Sequence, residues 1–205
     1  MRQLSTVAMT VSMVLMAAGC AGNKQKGQEG AVPMAKIERA PGGDQAREAA
    51  PVTLKTGDAA PALSIEQWLQ GSPVSGFEAG KVYVVEFWAT WCPPCVAAIP
   101  HLNEVQSQHP DIVVIGVAGS ERRPAAGQPD TRVDKLKEFI AKRGEGMSYR
   151  VAYDDDRSMP KAWMEPAGQG GIPCTFIVGR DGKIAWIGHP VAMDKPLAAA
   201  IRAAR

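Results

Sequence analysis

Residues 82–88 (VYVVEFW), Ala89-Thr90 and then Trp91-Cys92-Pro93-Pro94-Cys95 form the stretch that decides the fold. Val82 to Trp88 is a nearly continuous run of β-branched and aromatic residues, the pattern of a strand buried on both faces. A helix is expected to begin at Cys92 and run to about Ser107, with Pro100 inside it. Cys92 then stands where a helix leaves backbone N–H groups unpaired and its dipole is positive, which favours thiolate. Pro93 suits the first helical position, because the N–H it lacks would be unpaired there anyway. Cys95 follows about one turn later on the same face, so the two sulfurs can meet at disulfide distance. An exposed nucleophilic thiol backed by a shielded resolving thiol is what thiol–disulfide exchange requires.

A zinc site could use the same spacing, but it needs two more ligands. The sequence holds no second C-x-x-C and no H-x-x-x-H, and His101, His109 and His189 are scattered. Val96, not His, follows Cys95, which excludes haem attachment. The reading is therefore a redox pair with no metal and no cofactor.

Outward from this stretch, Ile112 to Ala118 (IVVIGVA) reads as a second buried strand. Val133, Leu136, Phe139 and Ile140 recur at helical spacing within 133–143. Residues 149–153 read as a short strand and 158–164 as a short helix despite Pro160. Residues 175–178 and 183–187 flank Arg180-Asp181-Gly182 as a hairpin. Asp194 is expected to cap a last helix through Ala204, with Pro196 in its first turn. Strands alternating with helices, then a hairpin, give an α/β fold whose mixed central sheet carries helices on both faces. Residues 120–132 (SERRPAAGQPDTR) read as a plain polar surface loop.

The 205 residues are 45% hydrophobic and 21% charged, ordinary for a globular chain, so wholesale disorder is excluded. Lys and Arg number 23 against 21 Asp and Glu, a net +2 without a basic stripe, and nucleic acid is not an expected partner. Four cysteines are too few for a disulfide-stapled scaffold. Residues 1–20 (MRQLSTVAMTVSMVLMAAGC) join Arg2 to an apolar run from Val7 to Ala18, which is too short to cross ~30 Å of hydrocarbon and suits a secretory signal. The Ala18-Gly19-Cys20 ending resembles a bacterial lipobox, with Ala17 where leucine is usual, and marks Cys20 for lipidation. Residues 21–51 hold no aromatic residue and cannot bury enough apolar surface to fold. The expected organisation is a signal peptide over 1–19, a tether over 20–51 with a reach of roughly 30 Å, and one folded domain over 52–205.

Phe87 to Cys95 (FWATWCPPC), the Gly171-Ile172-Pro173 turn, Gly57-Asp58-Ala59-Ala60-Pro61 and Pro100 together resemble the thioredoxin superfamily, specifically its extracytoplasmic TlpA/ResA-like branch. The resemblance spans about residues 52–205. It implies a thioredoxin-like fold with Pro173 cis beside the disulfide. It also implies that Trp91, Ile172 and Pro173 form the substrate-binding surface, the Ile172 backbone pairing with the substrate strand.

Glu86 interrupts the first apolar strand, and burial there raises a carboxylate's pKa. Its residue type and place allow either a proton carrier for Cys95 or a carboxylate paired to a lysine; the resemblance implies the carrier. Cys174, directly after Pro173, is expected to be an inert buried thiol. The function so implied is a membrane-anchored thiol–disulfide oxidoreductase on the periplasmic side of a bacterial envelope. It would reduce disulfides of envelope proteins such as apocytochrome c and draw electrons from a membrane thiol transporter. A peroxiredoxin-like peroxidase is the second reading, although Ala89 stands where that family has Thr or Ser. A Sco-like copper-binding assembly factor is the third, and it needs a wider cysteine spacing.

Overall fold

Strand β2 (Tyr83–Phe87) and strand β3 (Val113–Ala118) are buried along their whole length and lie parallel at the centre of a six-stranded sheet. This is where two apolar runs without alternation must go, because neither has a face fit for water. The computed structural model describes residues 52–65 and 67–203. The expected signal peptide, the tether and Cys20 lie outside the described residues. Around the central pair are β1 (Gln67–Gln70), β4 (Arg150–Tyr153), β5 (Cys174–Val178) and β6 (Ile184–Gly188), in the spatial order β1-β4-β3-β2-β5-β6. Strands β2, β3 and β4 run parallel, whereas β1, β5 and β6 join antiparallel, so the sheet is mixed as expected.

Among the described residues four helices cover it: α1 (Pro93–Gln108), α2 (Arg132–Arg143), α3 (Ser158–Trp163) and α4 (Asp194–Arg202). Period-two alternation along β2 divides the core. Val82, Val84 and Trp88 pack with Ile99 and Leu102 of α1, Leu136 of α2 and Leu197 of α4. Tyr83, Val85 and Phe87 point the other way, against Met159 and Trp163 of α3 and Leu54 of the entering chain. Trp163 meets Phe176 edge-on at 5.3 Å between ring centroids, and Phe87 meets Phe176 at 5.7 Å. Each contact is a favoured aromatic geometry.

Two details depart from the sequence reading. Strand β1 (QWLQ) has no strand-like composition of its own; it forms because β4 offers an open edge, and the Gln70 side-chain amide donates to Met147 O and Tyr149 O. Asp194 does not cap α4: Met193 holds the cap position, and the Asp194 carboxylate instead reaches His101 Nε2 of α1 at 2.9 Å. The carboxylate turns to the imidazole on α1 rather than to its own helix end.

Candidate active site

The chain leaves β2 at Phe87 and enters α1 at Cys92, so the redox pair sits at the C-terminal end of a central strand. Cys92 is the N-cap of α1, Pro93 opens the helix, and Cys92 Sγ accepts from the Cys95 N–H at 3.3 Å. Cys92 and Cys95 form a disulfide with their Cα atoms 5.3 Å apart. Cys95 is fully buried, and Cys92 shows only 3% of its surface. Cys92 is thus less open than the sequence suggested, with Trp91, Pro93 and Ile172 beside it. It still lines an open groove of about 840 Å³, shared with Trp91, Ile172, Pro160 and Arg157.

Ile172-Pro173 is a cis peptide, and Ile172 O lies 3.8 Å from Cys92 Sγ. Trp91, 42% exposed, is one of the few large apolar side chains the described surface presents. The fold therefore brings Trp91, Cys92 and Ile172, from two segments eighty residues apart, to one groove, while Cys95, which is buried, and Pro173 are bonded directly to Cys92 and Ile172 respectively but do not line it.

Glu86 lies behind this groove. Its carboxylate is buried, and burial pushes its pKa up to about 8. In register it stands between Gly116 of β3 and Thr175 of β5, on the sheet face that Val84, Trp88 and α1 share. No Lys or Arg among the described residues pairs with it, which removes the structural ion pair that the sequence left open. Cys174 is buried and free, its thiol pushed up to about 12 first by burial and then by the charge of Glu86. Such a thiol carries almost no thiolate at neutral pH.

The 120–132 segment is not the plain surface loop that its composition suggests. The Thr90 N–H donates to Glu121 Oε1 at 2.6 Å, and the Thr90 hydroxyl donates to Oε2 at 2.9 Å. Trp91 Nε1 donates to Ser120 O at 2.9 Å, and the Arg122 guanidinium stacks 4.8 Å from the Trp91 ring. Three consecutive residues thus hold the two that precede Cys92. Nothing in the polar string SERR announces this, since the partner lies thirty-one positions away.

The redoxin family model matches residues 55–201. The chain belongs to the redoxin family. Within the thioredoxin superfamily this redoxin is TlpA/ResA-like. It is 33% identical over 147 residues to protein FixW of Rhizobium leguminosarum, a match covering 71% of this chain and 65% of that one. It is 28% identical over 109 residues to the thiol-disulfide oxidoreductase ResA of Geobacillus thermodenitrificans, covering 51% of this chain and 52% of that one. The redoxin thus spans about half to two thirds of the length of these curated relatives. The crystal structure of a thiol:disulfide interchange protein of the thioredoxin family from Chlorobium tepidum superposes with a TM-score of 0.52 at 23% identity, covering 70% of this chain and 96% of that one. That likeness concerns the fold.

Proposed function

We propose that this redoxin is a thiol–disulfide oxidoreductase that works as a reductant on disulfides of envelope proteins. The observation that carries the reading is the Cys92–Cys95 disulfide at the N-terminus of α1, set in an open groove beside Ile172 O with the unpaired Glu86 carboxylate behind it. In the reduced protein the Cys92 thiolate attacks a client disulfide, forming a mixed disulfide and releasing one client thiolate. Cys95 then gives its proton to the Glu86 carboxylate and attacks the Cys92 sulfur. This closes the Cys92–Cys95 disulfide, releases the second client thiolate and moves two electrons to the client. A dithiol donor reduces the pair again.

Pro93 and Pro94 provide no cationic side chain and remove backbone donors, so thiolate stabilisation at Cys92 is moderate. That supports a potential of about −270 mV, as for thioredoxin, rather than the −120 mV or so of a strong oxidant. The resemblance to the TlpA/ResA-like branch supports apocytochrome c as a client and a membrane thiol transporter as the dithiol donor. The sequence over 1–20 supports export and anchoring through acylated Cys20, with residues 20–51 as the tether of the domain over 52–205. Two or three acyl chains anchor stably where one does not. Among the described residues no helix is long and apolar enough to cross a membrane.

The test is insulin reduction with the full chain. Cys92→Ser is expected to abolish turnover, and Cys95→Ser to accumulate a covalent adduct through Cys92. Turnover by Cys92→Ser would overturn the reading. Cys20→Ala is expected to leave the membrane fraction; its retention there would remove the anchor.

A further inference from the structure

Among the described residues, five buried side-chain polar atoms without a hydrogen-bond partner belong to Glu86, Trp88, Tyr149 and Thr175. These five share one place. Thr175 pairs with Glu86 across β2 and β5, and Trp88 follows Glu86 by two positions on the same strand face. Gly116 is the partner of Glu86 on β3. Having no side chain, it leaves room that a Cβ would close: Trp88 Nε1 lies 3.0 Å and Tyr149 Cε2 3.1 Å from where that atom would be. The two rings therefore crowd into the gap beside Glu86, the indole N–H among the groups that converge there.

Three donors and one carboxylate thus lie buried around the Gly116 gap, none of them hydrogen-bonded. Protonated Glu86 accepts through its carbonyl oxygen and is itself a donor, whereas ionised Glu86 is acceptor-only and offers up to four lone pairs. A buried polar group without a partner is costly, and hydrogen bonds to a charged acceptor are roughly twice as strong as neutral ones. Burial favours the protonated acid, and these donors are the groups placed to answer its charge once it ionises. The titratable groups on the Glu86 face are Tyr149, which leads into β4, and the Cys92–Cys95 pair of α1; Cys174 of β5 feels the charge of Glu86 although it pairs with Phe87 on the opposite face, and Arg143 at the end of α2 acts on Tyr149.

We infer that Tyr149 is a positioning residue for Glu86: its hydroxyl donates to the carboxylate when that group ionises, with Thr175 and Trp88 completing the donor set. The inference rests on the proposed role of Glu86 as proton carrier. Ionised Glu86 is the form that takes the Cys95 proton, so Tyr149 sets the pH at which the mixed disulfide resolves. The proton passes from Cys95 Sγ to Glu86 and later to solvent; Tyr149 keeps its own throughout.

The experiment is single-turnover reduction of a chromogenic aromatic disulfide by the full chain, with the second thiolate followed from pH 5.5 to 9.5 in the parent, Glu86→Gln, Tyr149→Phe and the double variant. Tyr149→Phe keeps the ring, and Thr175→Val serves as a second donor-deleting variant of similar shape. In Tyr149→Phe the rise of the resolving rate is expected to move up by about one pH unit, making the rate at pH 7 about tenfold slower. In the Glu86→Gln background the same change is expected to have less than about a twofold effect, as for residues acting through one network. An unmoved profile in Tyr149→Phe, or an equal slowing in both backgrounds, would overturn the inference and leave Glu86 as the carrier. A Glu86→Gln profile identical to the parent would overturn the role of Glu86 itself, and Tyr149 with it.

Discussion

Thr90 gives both its N–H and its hydroxyl to the carboxylate of Glu121, at 2.6 Å and 2.9 Å, two residues before Cys92. A two-point contact of this kind fixes the direction in which the chain enters α1 as well as its position. Glu121 is therefore expected to act on Trp91 and Cys92 through Thr90. Glu121→Ala should lower kcat/KM for insulin reduction by about tenfold, the scale of one lost hydrogen bond to a charged group. Glu121→Gln, which keeps one acceptor, should recover part of the loss. Kinetics of Glu121→Ala matching the parent would show that the loop does not position the site.

Burial of Glu86 makes stability depend on pH in a direction that follows from the sign of its shift. Its folded pKa is raised to about 8 from an ordinary value of 4.5. Below about pH 4.5 both folded and unfolded chains hold the proton, and the group contributes its full share. As pH rises towards 8 the unfolded chain ionises first, so stability falls by up to about 1.4 kcal/mol per pH unit. Glu86→Gln lacks this slope. Urea midpoints of the oxidised protein should therefore separate in favour of the variant between pH 5 and pH 8; parallel curves would contradict the assignment.

Gly116→Ala tests the packing beside Glu86. The new methyl would stand 3.0 Å from Trp88 Nε1 and 3.1 Å from Tyr149 Cε2, inside a filled core. Overpacking of this kind costs about 1–3 kcal/mol. At about 2–4 °C per kcal/mol for a domain of this size, calorimetry should show a Tm several degrees lower. An unchanged Tm would mean that the two rings yield freely.

Cys174 stands next to the cis proline, yet its thiol lies high and buried. Cys174→Ala is expected to keep most of the reductase turnover. In the oxidised parent protein Cys174 should remain a free thiol by peptide mass mapping. A bridge from Cys174 to Cys92 or Cys95 would replace the two-thiol pair with a three-thiol relay.

The alternation rules and the helix-end chemistry were legible without coordinates. VYVVEFW and IVVIGVA had to be central strands, because no residue pattern in them tolerates a wet face, and C-P-P-C had to open a helix, because proline there costs no hydrogen bond. Those local constraints determined the mixed sheet and the redox pair. Tertiary structure alone decided what lies around them. Strand β1 exists only through the edge of β4, and Asp194 chose His101 over its own helix. Glu121 finds Thr90, and Tyr149 finds the gap over Gly116, only once β3 and β4 lie beside β2. Each of these contacts joins residues far apart in the chain through polar groups of ordinary type. A sequence records the donors and acceptors, but which of them meet is set by the packing of the sheet.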